Sequence, residues 1–239
     1  MKEKVLILGK RDLCHSFFNE CREVNIATEQ IEPSEIRESF IEDFDIIVRF
    51  PDDDLKDLSI LKGSPIKESQ IWLSEIFASS SSKESSQSSF ANQMVGFTLA
   101  YPFPEKKFVE LVSTENTRMD VMDKAMYFFK ALNFTVVNSK DHPGFIFNRV
   151  VMSMINEAIY EHMYGLASIE DIDQMMRLGA NFPMGPFEYA DLLGLDRILR
   201  MLEWLTEELG PQYRPCPLLR RKVEAGLLGK KTGEGFYTY

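Results

Sequence analysis

The sequence predicts an α/β chain in two parts: a trimmed parallel-sheet domain over residues 1–139, then an all-helical domain over residues 140–239. Three observations carry this reading. Lys4–Leu8 (KVLIL) is a short apolar run ending at Gly9, the pattern of a strand buried on both faces that leaves into a tight turn. Comparable runs recur at Val24–Ala27, Asp45–Val48, Ile71–Ile76, Met94–Leu99 and Phe108–Val112. From Asp141 the apolar spacing changes to steps of three and four, the helical period, first in Asp141–Asn156 (DHPGFIFNRVVMSMIN) and again in Leu195–Leu209.

Composition narrows the function. At 239 residues the chain can bury two small cores, and 44% apolar with 27% charged residues is an ordinary globular balance. No run of membrane-spanning length occurs and the first residues lack a signal-peptide layout, so a cytoplasmic protein is expected. Cys14, Cys21 and Cys216 are odd in number and lack ligand spacing, which fits a reducing compartment and no metal site. A net charge of -10 argues against nucleic acid as a partner, because phosphate binding needs a basic surface.

The first strand and its turn suggest a dinucleotide-binding, Rossmann-like domain. Such a turn uses one glycine to bend, a second for backbone approach to a pyrophosphate, and a third for close helix–strand packing. Only Gly9 is kept: Arg11 and Cys14 stand at the second and third positions, and Asp12 adds a like charge at the helix start. The acidic residue that binds ribose hydroxyls is expected near Thr28 and Glu29, after a second strand over Val24–Ala27. Asp52, Asp53 and Asp54 lack the spacing of a calcium loop and read as a solvated turn. Ser79–Ser89 (SSSSKESSQSS) has too few apolar residues to bury and is expected to be a mobile linker.

In the second half Pro143 is placed in the first turn of a helix running to about Met163. Ile146, Val150, Met154 and Ala158 would form its apolar face, and Asn148, judged by periodicity alone, would be exposed. Ser168 caps a further helix, Pro186 opens a short one to Leu193, and Leu195–Leu209 is amphipathic and stopped by Gly210 and Pro211. Pro217–Ala225 is the last helix, and Phe236, Tyr237 and Tyr239 are expected to pin the end of the chain onto the helical domain.

The strings PGFIFNR, ASIEDIDQMMRLGANFPMGPFEYADLLGLD and GLLGKKTGEGFYTY resemble the C-terminal domain of the 3-hydroxyacyl-CoA dehydrogenase family. Upstream, the family's Gly-x-His-Phe-Phe-Asn-Pro-x-Pro-x-Met-Lys-x-Val-Glu is matched at Gly96, Pro102, Pro104, Lys107, Val109 and Glu110. In that register Thr98 replaces the family's basic His, and Tyr101 replaces its Asn. The resemblance implies a site made of Glu110, Asn148 and Ser74, with Glu75 where an Asn follows that serine. It also implies a helical insertion that clamps CoA, for which Glu29–Phe44 is too short. His142, just ahead of Pro143, is a weak candidate for a replacement base.

A threonine hydroxyl does not ionise near neutral pH and cannot serve as base. Together with the altered turn, this gives the expectation of a non-redox or strongly impaired relative with no cofactor. It would keep the dimerisation and acyl-CoA-cleft domain, with an acyl-CoA as possible ligand and a homodimer, or a heterodimer with an intact dehydrogenase, as assembly. The alternative is an active NAD-dependent 3-hydroxyacyl-CoA dehydrogenase using Ser74, Glu110 and Asn148. A third reading is a regulatory or scaffold subunit of an intact dehydrogenase.

Overall fold

The computed structural model describes residues 3–9, 12–32, 41–51, 67–86, 88–100 and 103–239. The expectations placed on Arg11, on Tyr101 and Pro102, and on Asp52–Asp54 lie outside the described residues, as do residues 33–40 of the short connection. The chain divides into two compact units, Met1–Phe145 and Ile146–Tyr239.

The first unit is built on one seven-stranded sheet. Its strands are β1 (Lys4–Leu8), β2 (Ala27–Ile31), β3 (Ile46–Arg49), β4 (Ile71–Glu75), β5 (Met94–Leu99), β6 (Phe108–Ser113) and β7 (Thr135–Lys140). They lie in the order β2-β1-β3-β4-β5-β6-β7. All neighbours are parallel except β5 and β6. Both faces are covered, which is why β1, β3, β4 and β5 read as near-continuous apolar runs. One face (Val5, Ile7, Val48, Phe50, Leu73, Val95, Phe97, Leu111) packs with Phe17 of α1 (Asp12–Glu23) and Phe128 and Phe129 of α3 (Met119–Ala131). The other gathers Leu6, Leu8, Ile47, Trp72, Met94 and Val112, with Phe90 stacked on Trp72 at 4.4 Å between ring centres.

Three expectations for this unit are corrected. The second strand begins at Ala27 rather than Val24, because α1 runs to Glu23 and turns through Asn25 at φ +60°. Residues within the serine run form a helix, α2 (Ser81–Ser86), whose Ser81, Glu84 and Ser85 are buried. The amides of Ser81 and Ser82 donate to the two carboxylate oxygens of Asp141. Gly96 lets this helix approach the sheet: a β-carbon there would lie 2.7 Å from Ser81 Oγ. β7 also crosses the expected division at residues 139–140 and belongs wholly to the sheet.

The second unit contains α4 (Phe147–Met163), α5 (Ile169–Gly179), α6 (Pro186–Leu193), α7 (Leu195–Leu209) and α8 (Pro217–Glu224). Pro143 lies ahead of α4, not in its first turn, since Gly144 and Phe145 follow at φ +75° and +52°, outside the helical region. The buried face of α4 is Asn148, Val151, Met152, Ile155, Asn156, Ala158 and Ile159, while Ile146 and Val150 are exposed. Asn156 is held inward by a bond from the Cys216 amide to its Oδ1 at 2.9 Å and one from its Nδ2 to the Arg214 carbonyl at 3.0 Å. Ser168 caps α5 as expected, its hydroxyl accepting from the Asp171 amide.

Candidate functional site

On one sheet face the composition changes along each strand. Leu6, Ile47, Trp72 and Met94 form an apolar layer. One step further toward the C-terminal ends of the parallel strands stand Arg49, Ser74 and Gly96, linked by the registers Arg49↔Ser74 and Ser74↔Gly96. Two residues past Gly96 is Thr98, paired directly with Glu110 on β6. Residues two apart on a strand share a face, so Arg49 and Ser74, level with Gly96, and then Thr98 and Glu110, make two successive polar steps beyond the apolar layer. All four are buried. Open α/β sheets bind ligands outside the C-terminal ends of their parallel strands, where these steps lie.

Three of the four implied site residues, Ser74, Thr98 and Glu110, are therefore brought onto one face by register alone. The fourth, Asn148, is on α4 in the second unit and is buried rather than exposed, as the periodicity of its helix had suggested. Lys107 of the motif forms an ion pair with Glu20 of α1. His142 is exposed in the turn after β7.

Sequence reasoning missed two members of the polar cluster. Arg49 Nη1 donates to Ser74 Oγ and to Glu84 Oε2, each at 3.0 Å, and Ser74 Oγ donates to Glu84 Oε2 at 2.9 Å. The Arg49 and Glu84 side chains are each only 2% exposed. Burial pushes the Glu84 carboxyl above its ordinary range, opposed by the charge of Arg49 and by the bonds from Ser74 and Arg49. The one available signal was a charged residue ending an otherwise apolar strand, FDIIVR, which requires a buried partner.

The β1 turn lies where the strand order reverses, between β1 and β3. Gly9 sits at φ +146°, and a β-carbon there would meet the Phe50 carbonyl at 2.8 Å. Cys14 does not disrupt helix–strand packing at this turn. It is fully buried, and its thiol donates to the Gly9 carbonyl at 3.3 Å. The corrected β2 ends at Ile31, opposite Leu8, so the carboxylate that follows the strand is Glu32, not Glu29. Gly9, a small residue under the turn and an acidic residue after β2 are three of the parts that a dinucleotide uses at such an edge; the second-glycine position, Arg11, lies outside the described residues.

In the second unit two buried carboxylates hold the end of the chain. Asp173 accepts from the amides of Phe187 and Glu188 and from the Tyr237 hydroxyl, at 2.8, 3.1 and 2.9 Å. Asp191 accepts from the amides of Phe236 and Tyr237 and from the Tyr239 hydroxyl, at 2.9, 2.8 and 3.1 Å. The Phe236 ring packs edge-on against Phe187. A β-carbon at Gly185 would overlap Asp173, and one at Gly235 would overlap Asp191. The pinned aromatic terminus is thus as expected, held by two aspartates as well as by rings.

Among the described residues no group of His, Cys, Asp and Glu is arranged to hold a metal, and no helix is long and apolar enough to cross a membrane.

These features define the architecture of a dehydrogenase-type chain: a Rossmann-like, mostly parallel sheet followed by a helical domain. Residues 144–239 match the family model described as 3-hydroxyacyl-CoA dehydrogenase, C-terminal domain. The chain is 36% identical over 203 residues to the 3-hydroxybutyryl-CoA dehydrogenase of Clostridioides difficile, covering 83% of this chain and 72% of that one. It belongs to the 3-hydroxyacyl-CoA dehydrogenase family. The 3-hydroxybutyryl-CoA dehydrogenase of Bradyrhizobium diazoefficiens is 44% identical over 148 residues, 62% of this chain and 50% of the relative. The chain spans about half the length of several curated relatives that it matches. The solved (S)-3-hydroxybutyryl-CoA dehydrogenase PaaH1 from Ralstonia eutropha superposes with a TM-score of 0.89 at 28% identity, covering 100% and 99% of the two chains.

This membership overturns the expectation that no cofactor serves the chain. The match to dehydrogenases extends well beyond the helical domain into the sheet domain, and a dehydrogenation requires a hydride acceptor.

Proposed function

We propose that the chain is an NAD-dependent 3-hydroxyacyl-CoA dehydrogenase that oxidises a short-chain substrate such as 3-hydroxybutyryl-CoA to its 3-keto product, or runs the reverse reduction. The observation that carries this reading is that Ser74, Thr98 and Glu110 share one sheet face toward the C-terminal ends of the parallel strands, beside a β1 turn that keeps Gly9 and a β2 followed by Glu32. The relatives named as 3-hydroxybutyryl-CoA dehydrogenases support the substrate class. Nothing observed favours the non-redox or scaffold readings over this one.

Gly9, the start of α1 and Glu32 would hold the dinucleotide, with the pyrophosphate at the helix start and the ribose at the carboxylate. When bound, NAD supplies the acceptor for the hydride that leaves the substrate's C3. The chain's own residues bind and orient the 3-oxygen: the Thr98 hydroxyl can donate to it, and Ser74 lies on the same face. Glu110, opposite Thr98, holds that hydroxyl's surroundings polar in an otherwise apolar sheet. Asn148 is the matched amide of the helical domain.

The assembly we propose is a homodimer through the helical domain. Tyr164, Leu166, Met175 and Leu178 leave an apolar surface on and before α5, each at least 69% exposed, of a kind that a second copy would cover. Of the apolar residues of α7, by contrast, Leu195, Ile198, Leu199, Met201, Leu202 and Leu205 are buried, and Trp204 and Leu209 are half-buried.

The test is reduction of acetoacetyl-CoA by NADH, followed at the absorbance of the reduced nicotinamide. Turnover that depends on the protein and is lost in Ser74→Ala is the expected result. No turnover in either direction, together with no change in NADH fluorescence, would overturn the reading.

A further inference from the structure

The cluster around Ser74 has a directionality that the family match does not assign. The serine hydroxyl has one proton and two lone pairs. The proton is given to Glu84 Oε2 at 2.9 Å, and one lone pair receives Arg49 Nη1 at 3.0 Å. One acceptor site is left. Glu84 Oε1 and Arg49 Nε and Nη2 are buried without a partner among the described residues. A buried ion pair with unused donors and acceptors is a poor stabilising device, because its desolvation is not fully offset. A serine whose own proton already lies on the line to a carboxylate can accept another only by passing its own along.

We propose that Ser74 and Glu84 form the proton relay of this enzyme, moving the proton of the substrate's 3-hydroxyl in place of the imidazole that Thr98 does not supply. This rests on the dehydrogenase reading above. The substrate O–H bond breaks as its proton passes to Ser74 Oγ, while the serine proton passes to Glu84 Oε2. The electrons of that bond become the second C–O bond of the 3-keto product, and the C3 hydrogen leaves with its electron pair to the nicotinamide co-substrate. The substrate is oxidised, the nicotinamide is reduced, and one proton rests on Glu84 until it returns to solvent. In this relay Ser74 is the catalytic residue, because its hydroxyl is the one that takes the substrate's proton. Glu84 acts through it, and Arg49 positions both.

The charged groups that face Glu84 allow it to hold a proton. Burial favours its neutral form, and Glu75 on β4 adds to that, while Arg49 on β3 and the bond from Ser74 oppose it. Lys83 on the same helix is exposed, Asp141 caps the amides of Ser81 and Ser82, and Glu110 stands on β6 on the same sheet face.

The experiment compares the unaltered chain with Glu84→Gln, Glu84→Asp and Ser74→Ala. Glutamine can still accept from Ser74 and Arg49 but cannot take up a proton. Turnover is expected to fall about 100-fold or more, the usual worth of a positioned acid–base group. The acid limb of the pH profile, set in the unaltered chain by a group above the ordinary carboxylate range, should disappear. Glu84→Asp should restore part of the rate. A second readout needs no turnover: the Glu84 carboxyl, followed by carbon-13 NMR in the ligand-free protein, should titrate higher still in Ser74→Ala, which removes a bond to its ionised form. If Glu84→Gln does not fold, Ser74→Ala leaves the ion pair intact and carries the kinetic test as well. An unchanged rate and acid limb in a folded Glu84→Gln would overturn the relay and leave the dehydrogenase reading standing. No turnover by the unaltered chain would overturn both.

Discussion

Thr98 and Glu110 stand directly opposite each other in the one antiparallel strand pair of the sheet. Side chains so paired share a face at close range, so a base at position 98 would have a carboxylate beside it. Thr98→His is therefore expected to raise turnover by roughly 100-fold, at the low end for a positioned general base. Glu110→Gln should matter far more in the Thr98→His background than in the unaltered chain, because only an imidazole needs that carboxylate to orient it. A double-mutant cycle on kcat reads the difference directly. Equal effects in both backgrounds would show that the two positions do not cooperate.

NADH is expected to bind the unaltered chain. Replacing Glu32 with Ala should weaken that binding about tenfold, since a hydrogen bond to a charged group contributes on the order of 1.5 kcal/mol. Fluorescence titration measures both constants, and Glu29→Ala is the control expected to change nothing. Equal affinities for all three proteins would remove Glu32 from the cofactor site.

Asp191→Ala should destabilise the helical domain by about 2 kcal/mol, leaving one buried and one half-buried amide and a tyrosine hydroxyl without their acceptor. Gly235→Ala pushes a methyl group into the same carboxylate, so the double variant should lose less than the sum of the two. Thermal melting of the three proteins decides it, and additive losses would show that the contacts are independent.

Asp173 adds a pH dependence. Its carboxyl is held above the ordinary range by burial, against the bonds from Phe187, Tyr237 and Glu188. A raised pKa in the folded chain means that folding takes up a proton. The stability linked to this group is then complete below the unfolded pKa and is lost as pH rises through the folded one. The melting-temperature difference between Asp173→Asn and the unaltered chain should shift in the variant's favour across that window. A difference independent of pH would refute this.

Dimerisation through the α5 surface predicts twice the chain mass by light scattering at micromolar concentration. Met175→Asp with Leu178→Asp should return it to the single-chain mass while the melting temperature holds, since both side chains are exposed.

Much of this was legible from the residues. Met94–Leu99, Pro186–Leu193 and Leu195–Leu209 have the bounds that periodicity and punctuation predicted, and the register of Gly96 to Glu110 placed Thr98 against its partner. What was not legible has a common cause: polar atoms satisfied by distant polar atoms. The serine helix buries Ser81, Glu84 and Ser85 at helical spacing, but the pattern is invisible to a search for apolar residues. Arg49 looks like the end of a strand until Glu84 is placed over it. Glu32 follows β2 because α1 continues through Phe17 and Cys21 to its turn at Asn25, which sets the strand three residues later than the apolar run at Val24 suggests. Ile146 and Val150 are exposed because the buried face of α4 is centred on Met152, Ile155 and Ile159, with Asn148 and Asn156 turned inward beside them.

The change from apolar to polar along β3, β4 and β5 bears on how such a chain can evolve. The layer of Leu6, Ile47, Trp72 and Met94 is complete without the polar residues beyond it. Substitutions at Thr98 or Ser74 therefore exchange polar groups beyond that layer and leave its apolar contacts unchanged. A lineage can exchange its proton-handling group here at little risk to viability of the fold, and new chemistry can be sampled before selection has settled on it.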